Sequence, residues 1–280
     1  IDRHFSEIKS SNNKALDLLN ILMEKQCNLV INWMRVGFIH GVMNTDNMTV
    51  SGQTIDYGPC AFMDYYDAKT VFSSIDKFGR YSFSNQPKIT KWNLARFAEC
   101  LIPLIDENED SAIKKASEVI DNFEKIYEEK WLNMMRDKLG LFGEDKEDKK
   151  LINDLLNWME LNKIDYTNTF CYLMNIKTPE INCYKSNEFM HWTDRWKKRL
   201  NVKEISSSKY LDLMRISNPI VIPRNHKVEE ALIAANENNL KLLKNLLTVL
   251  ENPYTDQKNI LDYQCPLPIT EKKFQTFCGT

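Results

Sequence analysis

The chain has 280 residues, 43% hydrophobic and 27% charged, with 37 basic against 39 acidic side chains and a net charge of −2. Those values suit a folded globular protein of one large or two modest domains with a substantial core. They exclude the basic footprint of a nucleic-acid or anionic-membrane binder, and no apolar run reaches the roughly 18 residues that a spanning helix needs.

The first predicted element is a helix over Lys14 to Gly37. Leu18, Leu19, Leu22, Met23, Leu29, Val30, Trp33 and Met34 recur at helical spacing, and Gly37 is a stop. A hairpin follows. Met48-Thr49-Val50 and Gln53-Thr54-Ile55 are rich in β-branched residues, and Ser51-Gly52 between them reads as a two-residue turn. That register opposes Val50 to Gln53, Thr49 to Thr54 and Met48 to Ile55. One further step sets Asn47 opposite Asp56, with Cα atoms about 4.5–5.5 Å apart.

Downstream the periodicity is helical: Asn93–Ile102, ended by Pro103, then Ser111–Leu139 with acidic residues at Asp106–Asp110 favouring its start. Lys150–Leu161, Tyr166–Met174, Phe189–Leu200, Tyr210–Met214 and Val228–Leu250 complete the set, and Ile220–Ile222 is a second strand signal. The fold class is therefore mainly α. The mixed charges of Gly143–Lys150 read as a solvated connection, and Trp192 and Trp196 as one packed helix face. Arg224-Asn225-His226 after Pro223 reads as a turn leading into a helix, with Asn225 or His226 near its cap.

The chemistry is concentrated between His40 and Met63, which hold a His, an Asp-Asn pair, the hairpin and Asp-Tyr-Gly in the order of a kinase-type metal and phosphate site. A carboxamide at Asn47 and a carboxylate at Asp56 aim two oxygens at one point. Mg²⁺ suits such a pair, because it takes few protein oxygens and fills its shell with phosphates and water. In the kinase pattern an Asp stands five residues before the metal-binding Asn. Here that position is Val42, and the carboxylate is displaced to Asp46. His40 is read as a brace of the loop. Arg80 and Asn85-Gln86-Pro87 follow Asp56 at an activation-segment distance and can shape a substrate-facing surface.

The seven cysteines (Cys27, Cys60, Cys100, Cys171, Cys183, Cys265, Cys278) are scattered, odd in number and without C-x-x-C spacing. Neither a disulfide framework nor a zinc site follows, and the default is a reducing compartment with most thiols buried. Cys278, close to the C-terminal end of the sequence, is expected to be accessible.

Taken together, these motifs resemble the selenoprotein O (SelO/YdiU) family of kinase-like protein adenylyltransferases. The resemblance rests on Trp33–Met63 with GFIHGVMNTDN and TIDYGP, on GRYSFSNQP (Gly79–Pro87) and on Trp92-Asn93-Leu94. It continues through KLGL (Lys138–Leu141), DYTNTF (Asp165–Phe170), Trp192 and Trp196 before Arg199-Leu200, NPIVIPRNH (Asn218–His226), Pro253-Tyr254 and the closing TFCGT. It implies a protein-kinase-like C-terminal lobe with a short β-hairpin at the catalytic loop and a helical C-terminal extension. Residues 1–105 would form the metal-binding core and 106–280 the helical remainder.

The implied reaction is transfer of AMP from ATP, held in a reversed orientation, to Ser, Thr or Tyr hydroxyls of proteins. Asp46 matches the proton acceptor, Asn47 and Asp56 match the Mg²⁺ ligands, and Asp56 also lies against the nucleotide. The family also implies a redox role for Cys278, with Cys60 the candidate partner nearest the site. The chain starts at Ile1 and holds no G-x-G-x-x-G or Walker loop, so it is expected to be the C-terminal part of a longer protein and inactive alone. A cytoplasmic, bacterial-like location is expected, with a mitochondrial one as the alternative. The competing readings are an ATP-dependent kinase and a non-catalytic helical interaction module.

Overall fold

The computed structural model describes residues 1–179, 182–201, 206–269 and 274–277. The chain is mainly helical around one hydrophobic core. Helix α1 (Lys14–Val36) is its axis. The Asn13 side chain accepts the Leu16 N–H at its start, and Gly37 closes it in the left-handed conformation at φ 75°. Leu19, Leu22, Met23, Cys27, Val30 and Met34 are buried along it. Two short strands, β1 (Phe38–Ile39) and β2 (Ala61–Phe62), pair antiparallel with Phe38 opposite Phe62 and Ile39 opposite Ala61.

Helix α2 (Gln86–Ile105) packs along α1, α3 (Glu109–Asp121) packs on α2, and α4 (Phe123–Lys138) returns to α1. The sequence periodicity over 111–139 suggested one helix, but the chain breaks at Asn122, which lets its two halves pack against different partners. Pro103 was expected to end α2 and instead lies inside it. A proline so near the C-terminus removes only one ladder bond, and the helix runs two residues further. Its start also lies earlier than expected, because Gln86, Thr90 and Asn93 are polar residues on the buried face.

Helices α5 (Asp148–Asn162), α6 (Tyr166–Leu173), α7 (Asn187–Asn201) and α8 (Ser207–Ser217) form the next layer, α8 resting on α4 and α7 on α5. Trp192 and Trp196 stack at 6.0 Å between ring centroids and donate their indole N–H groups to the carbonyls of Leu151 and Leu139. They are the packed helix face that their spacing suggested.

The expectation for Gly143–Lys150 needs correction at Asp148, which is fully buried. It accepts hydrogen bonds from Arg136 Nε at 2.7 Å and Arg199 Nε at 2.7 Å. Burial alone would raise its pKa, but the bonds from Arg199 and Arg136 hold it below the usual carboxylate value.

Val228–Leu250 divides into α9 (Asn225–Asn236) and α10 (Lys241–Leu250), an antiparallel pair separated where Asn238 adopts φ 62°. Asparagine tolerates that left-handed turn better than most residues. The short α11 (Leu261–Gln264) follows. Ile220–Ile222 forms no strand: its Ile220 N–H is spent on the carbonyl of Pro253 at 2.6 Å. Of the six described cysteines only Cys27 and Cys171 are buried, fewer than the sequence suggested.

Candidate active site

Helix α1 delivers the chain to β1, and β1 leads directly into His40, which is buried completely. The backbone N–H of His40 donates to Gln86 Oε1 at 3.0 Å, and Gln86 Nε2 donates to the Phe38 carbonyl at 3.0 Å. Gln86 thus fixes β1 from the first turn of α2. The imidazole then spans the loop. Its Nδ1 accepts the Val42 N–H at 3.4 Å and its Nε2–H donates to the Ile55 carbonyl at 2.8 Å. Desolvation pushes the His40 pKa down, so the neutral ring with its proton on Nε2 is the form that fits both contacts.

Val42, the position where a kinase would carry its base, contributes only its backbone. Its carbonyl accepts Asn47 Nδ2 at 3.0 Å. That bond fixes the Asn47 amide, leaving Oδ1 as the atom available for a metal. Asp46 and Asn47 sit on a 3-10 turn, Thr45–Asn47, with Asp46 exposed and Asn47 buried. The loop is pinned twice more: Asn93 Nδ2 of α2 donates to the Met43 carbonyl at 2.9 Å, and Tyr81 Oη donates to Asn44 Oδ1 at 2.7 Å. Gly41, at φ 88°, passes so near Pro59 that a Cβ would lie 2.7 Å from the Pro59 carbonyl oxygen.

The hairpin differs from its expected register. Met48 bridges to Thr54, not to Ile55, and five residues, Thr49–Gln53, make the connection. Thr49 is the cause: its hydroxyl donates to the Gln53 carbonyl at 2.9 Å, and the Gly52 N–H reaches the Thr49 carbonyl. Side chains thereby replace part of the ladder, and the two-residue turn gives way to a wider loop. Trp33 Nε1–H, donating to Thr54 Oγ1 at 2.8 Å, anchors the returning arm to α1. Asn47 and Asp56 are therefore not cross-strand partners. They are coupled instead through His40, which holds Val42 beneath Asn47 and Ile55 beside Asp56. Asp56 is exposed and takes φ 54°, a left-handed turn that points the chain into β2.

Among the described residues no three His, Cys, Asp or Glu side chains cluster to hold a metal. An Asn–Asp pair completed by phosphate oxygens is a different donor set, suited to Mg²⁺. Cys278 lies outside the described residues. The segment just before it is held against the site, since Thr276 Oγ1 donates to the Pro59 carbonyl at 2.6 Å and its backbone pairs with Phe72 and Ser74. Cys60 is half-buried, and desolvation pushes its thiol up to about 11.

Asn93 and Tyr81 escaped the sequence reading as site residues; the signal for Asn93 was a polar side chain on a helical pattern. Gln86, expected with Arg80, Asn85 and Pro87 to shape a substrate-facing surface, is instead fully buried, because its carboxamide is spent on the backbone of β1 and His40.

The chain is 63% identical to a protein nucleotidyltransferase YdiU from Pelagibacter ubique, over all of this chain and 58% of the relative. It is 53% identical to the protein of that name from Nitrosococcus oceani and 49% to that from Brevibacillus brevis, covering 57% of each. It thus spans somewhat over half the length of these curated relatives. The family model described as protein adenylyltransferase SelO matches residues 1–251. With that match over most of its length, the chain belongs to the protein adenylyltransferase SelO family.

Proposed function

We propose that this chain is the C-terminal part of a Mg²⁺-dependent protein adenylyltransferase that moves AMP from ATP to Ser, Thr or Tyr hydroxyls of proteins. The observation that carries the reading is the brace at His40, which holds an exposed Asp46, a fixed Asn47 amide and an exposed Asp56 around one loop. The names of the relatives support nucleotidyl transfer. In this reading residues 1–105 act as a kinase-like metal-binding core and 106–280 as the helical remainder. All three site residues fall in the first part, while α3 and α4 pack back against its helices.

Asn47 Oδ1 and the Asp56 carboxylate would hold Mg²⁺, and Asp56 would also face the nucleotide. Bound there, the ion supplies charge neutralisation on phosphate oxygens. The Asp46 carboxylate takes the proton of the attacking hydroxyl. The hydroxyl oxygen bonds to the α-phosphorus, the α–β bridging bond breaks, and pyrophosphate leaves with the electron pair. Neutral His40 keeps the loop in place and takes no part in proton transfer, since both ring nitrogens are committed to backbone groups.

The reading further assigns little or no activity to residues 1–280 alone and a redox role to Cys278. The Thr276–Pro59 contact, which anchors the tail beside the Asp56 turn, supports the latter. Bacterial relatives support a cytoplasmic setting; no described helix is long and apolar enough to cross a membrane. A kinase is the second reading, and Val42 argues against it, because a valine at the usual base position cannot accept a proton.

The test uses the full-length parent protein with Mg²⁺ and ATP labelled on either the α- or the γ-phosphorus. Protein-bound α-label without γ-label is expected. Bound γ-label would make it a kinase, and no transfer of either label would leave the third reading, a helical interaction module.

A further inference from the structure

Between β2 and α2 stands an arginine whose charge the proposed reaction leaves unused. Asp76 sets the backbone around it: Oδ1 accepts the Arg80 N–H and Oδ2 the Tyr81 N–H, each at 2.8 Å. The Asn85 amide donates to the Arg80 carbonyl. The main chain on both sides of Arg80 is therefore fixed, while the side chain stays exposed. Its guanidinium lies over the Trp92 ring, with Cζ 4.9 Å from the ring centroid, and Arg96 reaches the same ring at 5.3 Å. Trp92 is itself 42% exposed. An arginine laid on an aromatic face keeps its N–H edge for a planar anion.

Arg96 is answered by Glu99 at 2.6 Å. Among the described residues the Arg80 side chain has no hydrogen bond and no ion pair, and both oxygens of Asp76, four positions before it, are taken by backbone N–H groups. Three contacts place this pair of guanidiniums beside the candidate catalytic loop. Tyr81, next to Arg80, donates to Asn44 Oδ1 at 2.7 Å. Asn93, next to Trp92, donates to the Met43 carbonyl at 2.9 Å. Arg96 and Thr45 line the same cavity. Met43, Asn44 and Thr45 lead directly into Asp46.

We propose that Arg80, seated on Trp92, is a specificity-determining residue that binds an acidic side chain of the polypeptide presenting its hydroxyl to Asp46. A Glu or Asp carboxylate matches the forked N–H edge of a guanidinium and is held by two parallel hydrogen bonds. The same fixed loop carries Phe78, 98% exposed, and Ile75, 63% exposed. These side chains offer apolar contact to a polypeptide and nothing to a phosphate group, which favours an acidic peptide over the phosphates of ATP as the anion. The inference rests on the protein adenylyltransferase reading and names a feature of its substrate.

The experiment uses the full-length protein and fluorescein-labelled peptides built around a single Ser, Thr or Tyr, with Glu or its isostere Gln placed at each flanking position in turn. Binding is read by anisotropy, and transfer is read with Mg²⁺ and ATP labelled on the α-phosphorus. At one position or more the Glu peptide is expected to bind about tenfold more tightly than its Gln counterpart, with a KM lower by a similar factor. Arg80→Gln should erase that difference, and Arg80→Lys, which keeps the charge without the fork, should restore only part of it. Equal binding of Glu and Gln peptides at every position overturns the proposal, as does a preference that survives Arg80→Gln. A raised KM for ATP in Arg80→Gln, with no change in peptide preference, assigns the guanidinium to nucleotide phosphates and overturns it too. Glu-dependent binding that needs Arg80, without label transfer to any peptide, supports the acidic-peptide site and overturns the adenylyltransferase reading instead.

Discussion

His40 shows how one buried residue braces the loop that carries the candidate site. Its ring bonds to two backbone segments 13 residues apart, Val42 and Ile55, and both flank candidate metal ligands. Because burial lowers its pKa, the unfolded chain binds a proton here more readily than the folded one. The associated stability is fully present above the ordinary histidine value of 6.5 and is lost as pH falls through it towards the depressed folded value. His226, also lowered by burial, adds in the same direction. Urea midpoints should therefore drop between pH 7.5 and 5.5, and His40→Gln should show a smaller drop than the parent; an equal drop in the variant would remove His40 from the account. Asp56→Ala in the full-length protein should abolish AMP transfer while lowering the unfolding free energy by only about 1 kcal/mol, since the side chain is exposed and the main cost is alanine at φ 54°. Retained transfer would sink its assignment as a ligand.

At the scale of elements, a buried ion cluster ties together helices that also pack through their apolar faces. Asp148 at the start of α5 takes Arg136 from α4 and Arg199 from α7, so one carboxylate joins three helices. Removing one member of such a cluster strands the others without a counter-charge. Asp148→Asn is expected to destabilise the protein by about 3 kcal/mol, measured as a lowered urea midpoint. A change below about 1 kcal/mol would mean that water reaches the guanidinium groups. The two helix breaks belong to this scale as well. Asn122 and Asn238 interrupt stretches whose periodicity continues, because packing on a different neighbour outweighs the local cost of a turn.

Across the whole molecule, the C-terminal third clamps the segment that follows Asp56. Arg224, 1% exposed, donates from Nη1 to Asp64 Oδ1 and Asp165 Oδ2 at 2.6 Å each, and from Nη2 to the Gln264 carbonyl at 2.8 Å. Its two carboxylate partners hold its charge despite burial, while desolvation pushes the Asp165 pKa up. Next to it, Asn225 exchanges two hydrogen bonds with the backbone of Phe62 in β2, as a strand would. The sequence suggested only a turn and a helix cap here. Arg224→Leu should cost about 3–5 kcal/mol, because two carboxylates lose their shared cation. Loss of AMP transfer in the full-length variant should accompany the lowered thermal midpoint.

The helical class, the position of α1 and its glycine stop, the tryptophan face of α7 and the motif set from His40 to Asp56 were all legible in the sequence. Each is written locally, as a 3.6-residue period, a cap or a short ordered motif. The hairpin register, the breaks at Asn122 and Asn238, the roles of Gln86 and Asn93 and the ion clusters at Asp148 and Arg224 were not. Asp148 pairs with Arg199 across 51 positions, and Arg224 with Asp64 across 160. Polar residues of that kind carry no local mark of burial; only the fold brings their partners close enough to repay desolvation. The sequence by itself thus named the candidate metal-binding and proton-accepting side chains, Asp46, Asn47 and Asp56. The tertiary structure decided how they are held, by routing an imidazole and two carboxamides onto backbone groups that no local pattern pairs.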